Sequence, residues 1–174
     1  MSTRGTYKIY DGYNDLDVYF YVQHDNYPEG AVEYFKNMLT MVDKAPHGCQ
    51  YGPCFGYAAA FFRANEGARF TKNHRCHGDT EYQYNIVKED NNSEEIRKGT
   101  VYLEAFEVKR NWEKYNEDFA RLNKDQTNPE QNVYPRLQTR RIKFFQGTIE
   151  DFIKKYTEQE QVEEKKPSLT LVKS

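Results

Sequence analysis

Apolar and polar residues alternate from Thr6 to Tyr10 (TYKIY) and again from Val18 to Gln23 (VYFYVQ), with turn-forming residues from Asp11 to Asp15 between them. A period of two marks a strand whose faces meet different surroundings, so the two stretches are expected to form an N-terminal hairpin. In its second strand Val18, Phe20 and Val22 share one face, while Tyr19, Tyr21 and Gln23 share the other. Strict alternation returns from Glu81 to Val87 (EYQYNIV), placing Tyr82, Tyr84 and Ile86 together. It recurs from Thr100 to Val108 (TVYLEAFEV) across the charged stretch Asp90 to Lys98. Arg69 to Thr71 is a short strand candidate, and Arg140 to Phe145 (RRIKFF) resumes the pattern late in the chain.

Between these stretches the period lengthens to that of a helix. Val32, Phe35, Met38, Leu39 and Val42 form one stripe over about Glu29 to Asp43, with Pro28 near the first helical position. Cys54 to Asn65 (CFGYAAAFFRAN) reads as a buried helix ending at Gly67, and Trp112 to Leu122 as a short one. Thr148 is placed to cap a last helix whose buried stripe is Ile149, Phe152, Ile153 and Tyr156. Asp125 to Pro135 is polar and carries two prolines. Glu158 to Ser174 is charged, and three fates are open to it: continuing the helix, pairing through Leu169 to Val172, or being held by a partner.

The expected fold is therefore α+β: an antiparallel sheet of about five strands packed against two to three helices. It would be one compact domain over 1–156, with a polar insertion at 110–139 and a charged tail at 157–174. A length of 174 residues agrees with one domain.

Composition sharpens this picture in one respect. The chain holds 15 Tyr and 11 Phe but 1 Trp, and tyrosine couples an apolar ring to a hydroxyl. A mean hydropathy of -1.02 is then compatible with a folded core, because rings and long charged chains bury area that hydropathy indices discount. No apolar run approaches the roughly 18 to 20 residues that cross a bilayer, and Met1 to Lys8 does not resemble a secretory signal, so a cytoplasmic protein without a membrane partner is expected.

The 25 Lys plus Arg and 27 Asp plus Glu nearly balance, which disfavours a dedicated nucleic-acid coat. Two local basic patches stand out nonetheless: Arg69, Lys72, His74, Arg75 and His77, then Arg136, Arg140, Arg141 and Lys143. Cys49, Cys54 and Cys76 fit no familiar zinc or redox spacing. Reduced cysteines are expected, against a disulfide or a Cys/His metal site with His74 or His77.

Two clusters could carry chemistry: His24 to Gly30 (HDNYPEG) and His77 to Tyr84 (HGDTEYQY). Each sets an imidazole and two carboxylates at the end of an expected strand. If the ends share a rim, His24, Asp25, His77, Asp79 and Glu81 could bind a divalent metal or move protons. A structural reading competes with this one, in which Asp25 and Asn26 cap the helix and Gly78-Asp79 forms a turn. No phosphate loop, dinucleotide fingerprint or nucleophile elbow occurs.

The start Ser2-Thr3-Arg4-Gly5-Thr6, the motif around His24, Asp25, Tyr27, Pro28 and Gly30, and the motif of His77, Gly78, Asp79, Glu81, Tyr82 and Tyr84 resemble a set of small proteins from bacteria and their phages that carries no assigned activity. The resemblance spans about residues 2 to 108. Asn26 departs from it, and 110–139 is an addition. It implies a compact prokaryotic or viral α+β domain, in the host cytoplasm if phage-encoded, and supplies no mechanism.

The function expected first is a non-enzymatic binding protein that occupies a host or phage protein or sequesters a nucleotide-like ligand, plausibly to inhibit host defence. Its candidate ligand contacts are Tyr27, Arg69, Arg75, Tyr82, Tyr84, Arg140 and Arg141, and it needs no cofactor. The alternative is a metal-assisted phosphodiester or nucleotide hydrolase built on the two clusters, and nucleic-acid binding through the basic patches ranks third.

Overall fold

The structure is a computed structural model that describes residues 3–11, 16–43, 56–87 and 101–164. The hairpin forms as its alternation requires, β1 (Gly5–Asp11) pairing antiparallel with β2 (Leu16–Val22). Then come α1 (Pro28–Asp43), α2 (Tyr57–Ala64) and β3 (Arg69–Thr71). β4 (Tyr82–Val87) and β5 (Tyr102–Arg110) pair antiparallel, and after α3 (Trp112–Leu122) the chain returns as β6 (Thr139–Thr148) and α4 (Ile149–Glu164).

All the described strands join one open mixed sheet in the order β3-β2-β1-β4-β5-β6. This corrects the expected antiparallel sheet of about five strands: six are described, and β1 lies parallel to β4, with Gly5 opposite Tyr82 and Ile9 opposite Ile86. The cause is the crossover through α1, α2 and β3, which carries the chain back to the end of the sheet where β1 began. Alternation reports which face a side chain takes, not the direction of its neighbour. Among the described residues four α-helices form, three of them packed on the sheet, and α4 runs to Glu164, past Tyr156 where the tail was expected to begin. Cys49 and Cys54 lie outside the described residues, whereas Cys76 is exposed.

The helices α1, α2 and α4 cover one face, and the core is aromatic as the composition suggested. Tyr7 stacks on Tyr84 with centroids 5.0 Å apart, and Phe35 stands edge-on to both Tyr84 and Phe152. The two tyrosine hydroxyls are satisfied by one residue: Tyr7 donates to Asn26 Oδ1 and Tyr84 to the Asn26 carbonyl, each at 2.7 Å. Asn26 Nδ2 donates in turn to the carbonyls of Thr3, Val22 and His24. Asn26 is thus a buried clamp at the sheet rim rather than a helix cap. Its side chain also explains Gly5, where a Cβ would lie 2.5 Å from Asn26 Oδ1.

Within 110–139 the chain forms α3 and then returns to the sheet. No residue of α3 is buried, and its neck is closed by Asn111 N–H donating to the Gln138 carbonyl at 3.0 Å. Thr148 caps α4 as expected, accepting from Asp151 N–H at 3.0 Å.

Candidate anion-binding groove

No described helix covers the second face of the sheet. Because β1 is central, its residue Thr6 is buried there even so, and its partner comes from the segment after β3, which folds back across the sheet. His74, on that segment, fastens it: Nδ1 lies 2.8 Å from Thr6 Oγ1 and Nε2 lies 2.8 Å from Asn85 Oδ1. Burial pushes the imidazole down to about 4 against the opposing pull of its bond to Asn85, with Arg141 and Lys8 lowering it further. A neutral ring with Nε2–H donating to Asn85 and Nδ1 accepting from Thr6 satisfies both bonds. Nearby, His77 stacks on Tyr21 at 3.8 Å, and Tyr19 meets His74 edge-on at 5.1 Å.

Between this segment and the chain entering β6 runs a groove with two lobes. The first, of about 750 Å³, is bordered by Arg75, Arg110 and Arg136, and His77, Leu137 and Val108 also line it. The second, of about 520 Å³, is bordered by Arg75, Arg141 and Tyr19. Both reach His74, Gln83, Val108 and Thr139. No Asp or Glu of the described residues borders either lobe.

Two of the arginines are held in place without being neutralised. Arg110 Nε donates to the Gly78 carbonyl at 3.0 Å and a second guanidinium nitrogen donates to the Thr80 carbonyl. The Arg141 guanidinium lies 4.0 Å over the Phe106 ring. Three other cations are paired: Arg4 with Asp79 at 2.9 Å, Lys8 with Asp17 at 2.8 Å and Lys143 with Glu104 at 2.5 Å. Gln83 is 6% exposed where the lobes meet, and its Oε1 is buried with no hydrogen-bond partner among the described residues.

The two basic patches legible in the sequence therefore meet across this face, one giving His74, Arg75 and His77, the other Arg136 and Arg141. Of the seven expected ligand contacts, Arg75 and Arg141 border the groove. Tyr84 does not, being wholly buried in the core, and Tyr82 shares its helix-covered face. Tyr27 is exposed at the head of α1, Arg69 sits on β3 opposite Tyr21, and Arg140 pairs with Lys109 on the face away from Arg141.

The two motif clusters reach the same rim, flanking Thr3 and Arg4, but their groups are engaged separately. The Asp79 carboxylate binds the Arg4 guanidinium, and Glu81 Oε2 accepts from Arg4 N–H at 3.3 Å. The His24 carbonyl accepts from Tyr34 at 2.8 Å, and Asp25 adopts φ 52, a conformation that Asp tolerates better than most residues. Among the described residues no three His, Cys, Asp or Glu side chains lie together as a metal site would need.

Arg110 and Gln83 are the groove residues that sequence reasoning missed. Alternation held the signal, since Arg110 shares a face with Phe106 and Val108, and Gln83 faces away from Tyr82 and Tyr84. The chain matches no family model, no curated protein and no solved structure.

Proposed function

We propose that this protein is a non-enzymatic binding protein that sequesters a small phosphate-bearing, nucleotide-like ligand in the groove. The observation that carries the reading is uncompensated charge: four arginines and no described carboxylate border the lobes, in a chain of net charge -2. Guanidinium forks match phosphate oxygens two at a time, and a partly walled groove strengthens each pairing. The rings of Tyr19 and His77 and the apolar sides of Val108 and Leu137 suit the planar part of a nucleotide.

The resemblance of the two motifs to bacterial and phage proteins supports a setting for this activity. Sequestration in the host cytoplasm would deprive a defence system of a nucleotide-like signal. No divalent metal is required, since Asp79 and Glu81 already serve Arg4.

Calorimetric titration with ADP tests the reading. Binding is expected to weaken steadily with added salt, because phosphate-guanidinium attraction is screened. Arg75→Ala combined with Arg136→Ala should abolish binding and leave the melting temperature unchanged. Absence of binding at low salt by ADP, AMP and tripolyphosphate alike would overturn it.

A further inference from the structure

We infer that the groove takes a dinucleotide, two phosphate-linked units held at once; this rests on the nucleotide-binding reading above. Its two lobes repeat one composition. In the first, Arg110 and Arg136 stand beside the imidazole of His77, which is backed by the Tyr21 ring. In the second, Arg141 stands beside the Tyr19 ring. Arg75 borders both lobes, so one guanidinium serves the junction while each lobe keeps a cation and a planar group of its own.

Size points the same way. Pockets for a single small organic ligand run from about 300 to 1,000 Å³, and each lobe alone falls in that range. A mononucleotide in one lobe would leave the other lobe's arginine without an anion. Two phosphates separated by a ribose, with a base at each end, would pair both sets and put a ring on each side. The lobes also differ in how their cations are fixed: carbonyls of Gly78 and Thr80 hold Arg110, and the Phe106 ring holds Arg141. These supports sit on different elements, the segment before β4 and strand β5, so the two guanidinium positions are set independently and a ligand of matching span gains from both. Gln83 lies beneath the junction with its carbonyl unpartnered, and rotation of that amide would offer either an acceptor or a donor to the linking sugar.

The test compares four probes by calorimetry: cyclic di-AMP, linear pApA, ADP and AMP. At least one of the two dinucleotides is expected to bind one to one and about tenfold or more tighter than ADP and AMP, and which of them does so separates a cyclic from a linear ligand. Arg136→Ala and Arg141→Ala, one in each lobe, should each weaken that dinucleotide by about tenfold. ADP binding as tightly as both dinucleotides, or a dinucleotide affinity indifferent to Arg141→Ala, would overturn the inference and leave nucleotide binding standing. Failure of all four probes to bind would overturn both.

Discussion

The two faces of the sheet use similar residues to opposite ends. Under the helices, Tyr7 and Tyr84 are wholly buried, their hydroxyls are both consumed by Asn26, and burial raises both far above the usual tyrosine range. On the other face Tyr19 and Tyr21 meet imidazoles, and the four groove arginines border no described carboxylate. A face whose buried tyrosine hydroxyls are satisfied internally contributes stability, whereas one that leaves cations and an amide carbonyl unmatched by described groups is suited to a ligand.

This contrast can be broken most severely in the core. Phe35→Ala removes a ring packed against Tyr7, Tyr84 and Phe152 and should cost about 3 to 5 kcal/mol in denaturant unfolding. On the open face, the largest stability effect should come from acid. His74 is neutral when folded, with its pKa lowered to about 4, and an unfolded histidine titrates near 6.5. Between these values the unfolded chain binds the extra proton, so stability falls as pH falls from about 6.5 to 4, by up to roughly 3 kcal/mol. His74→Gln should flatten that part of the pH profile, and NMR titration should find the wild-type ring neutral down to about pH 4.

Smaller substitutions sharpen the comparison. Tyr84→Phe leaves the Asn26 carbonyl without its donor and should cost about 1 to 2 kcal/mol, measured by the same unfolding curves. Gln83→Leu removes a carbonyl that is already unpartnered, so stability should change by about 0.5 kcal/mol or less, or rise, while ADP affinity drops. A loss as large as that of Tyr84→Phe would mean that Gln83 belongs to the scaffold.

Much of this was legible along the chain because period-two alternation is imposed by geometry. Val18, Phe20 and Val22 point to the core and Tyr19 and Tyr21 away from it, as their spacing requires. The parallel pairing of β1 with β4 was not legible, because it depends on a crossover through two helices and a strand that no local pattern records. The site was half legible. Both basic patches could be seen, but that they face each other follows from the segment after β3 folding back across the sheet, where His74 bonds Thr6 on β1 and Asn85 on β4. Tyr82 and Tyr84, expected among the ligand contacts, lie away from the groove for a related reason: alternation groups them on one face without saying whether helices cover it.

The most direct test of the account is an NMR titration of the labelled protein with ADP. Backbone shifts should move at His74, Gln83, Val108, Arg110 and Thr139 on the open face, and those of Tyr7, Phe35 and Phe152 should stay still. Shifts confined to the helix-covered side, or none at all at low salt, would contradict it.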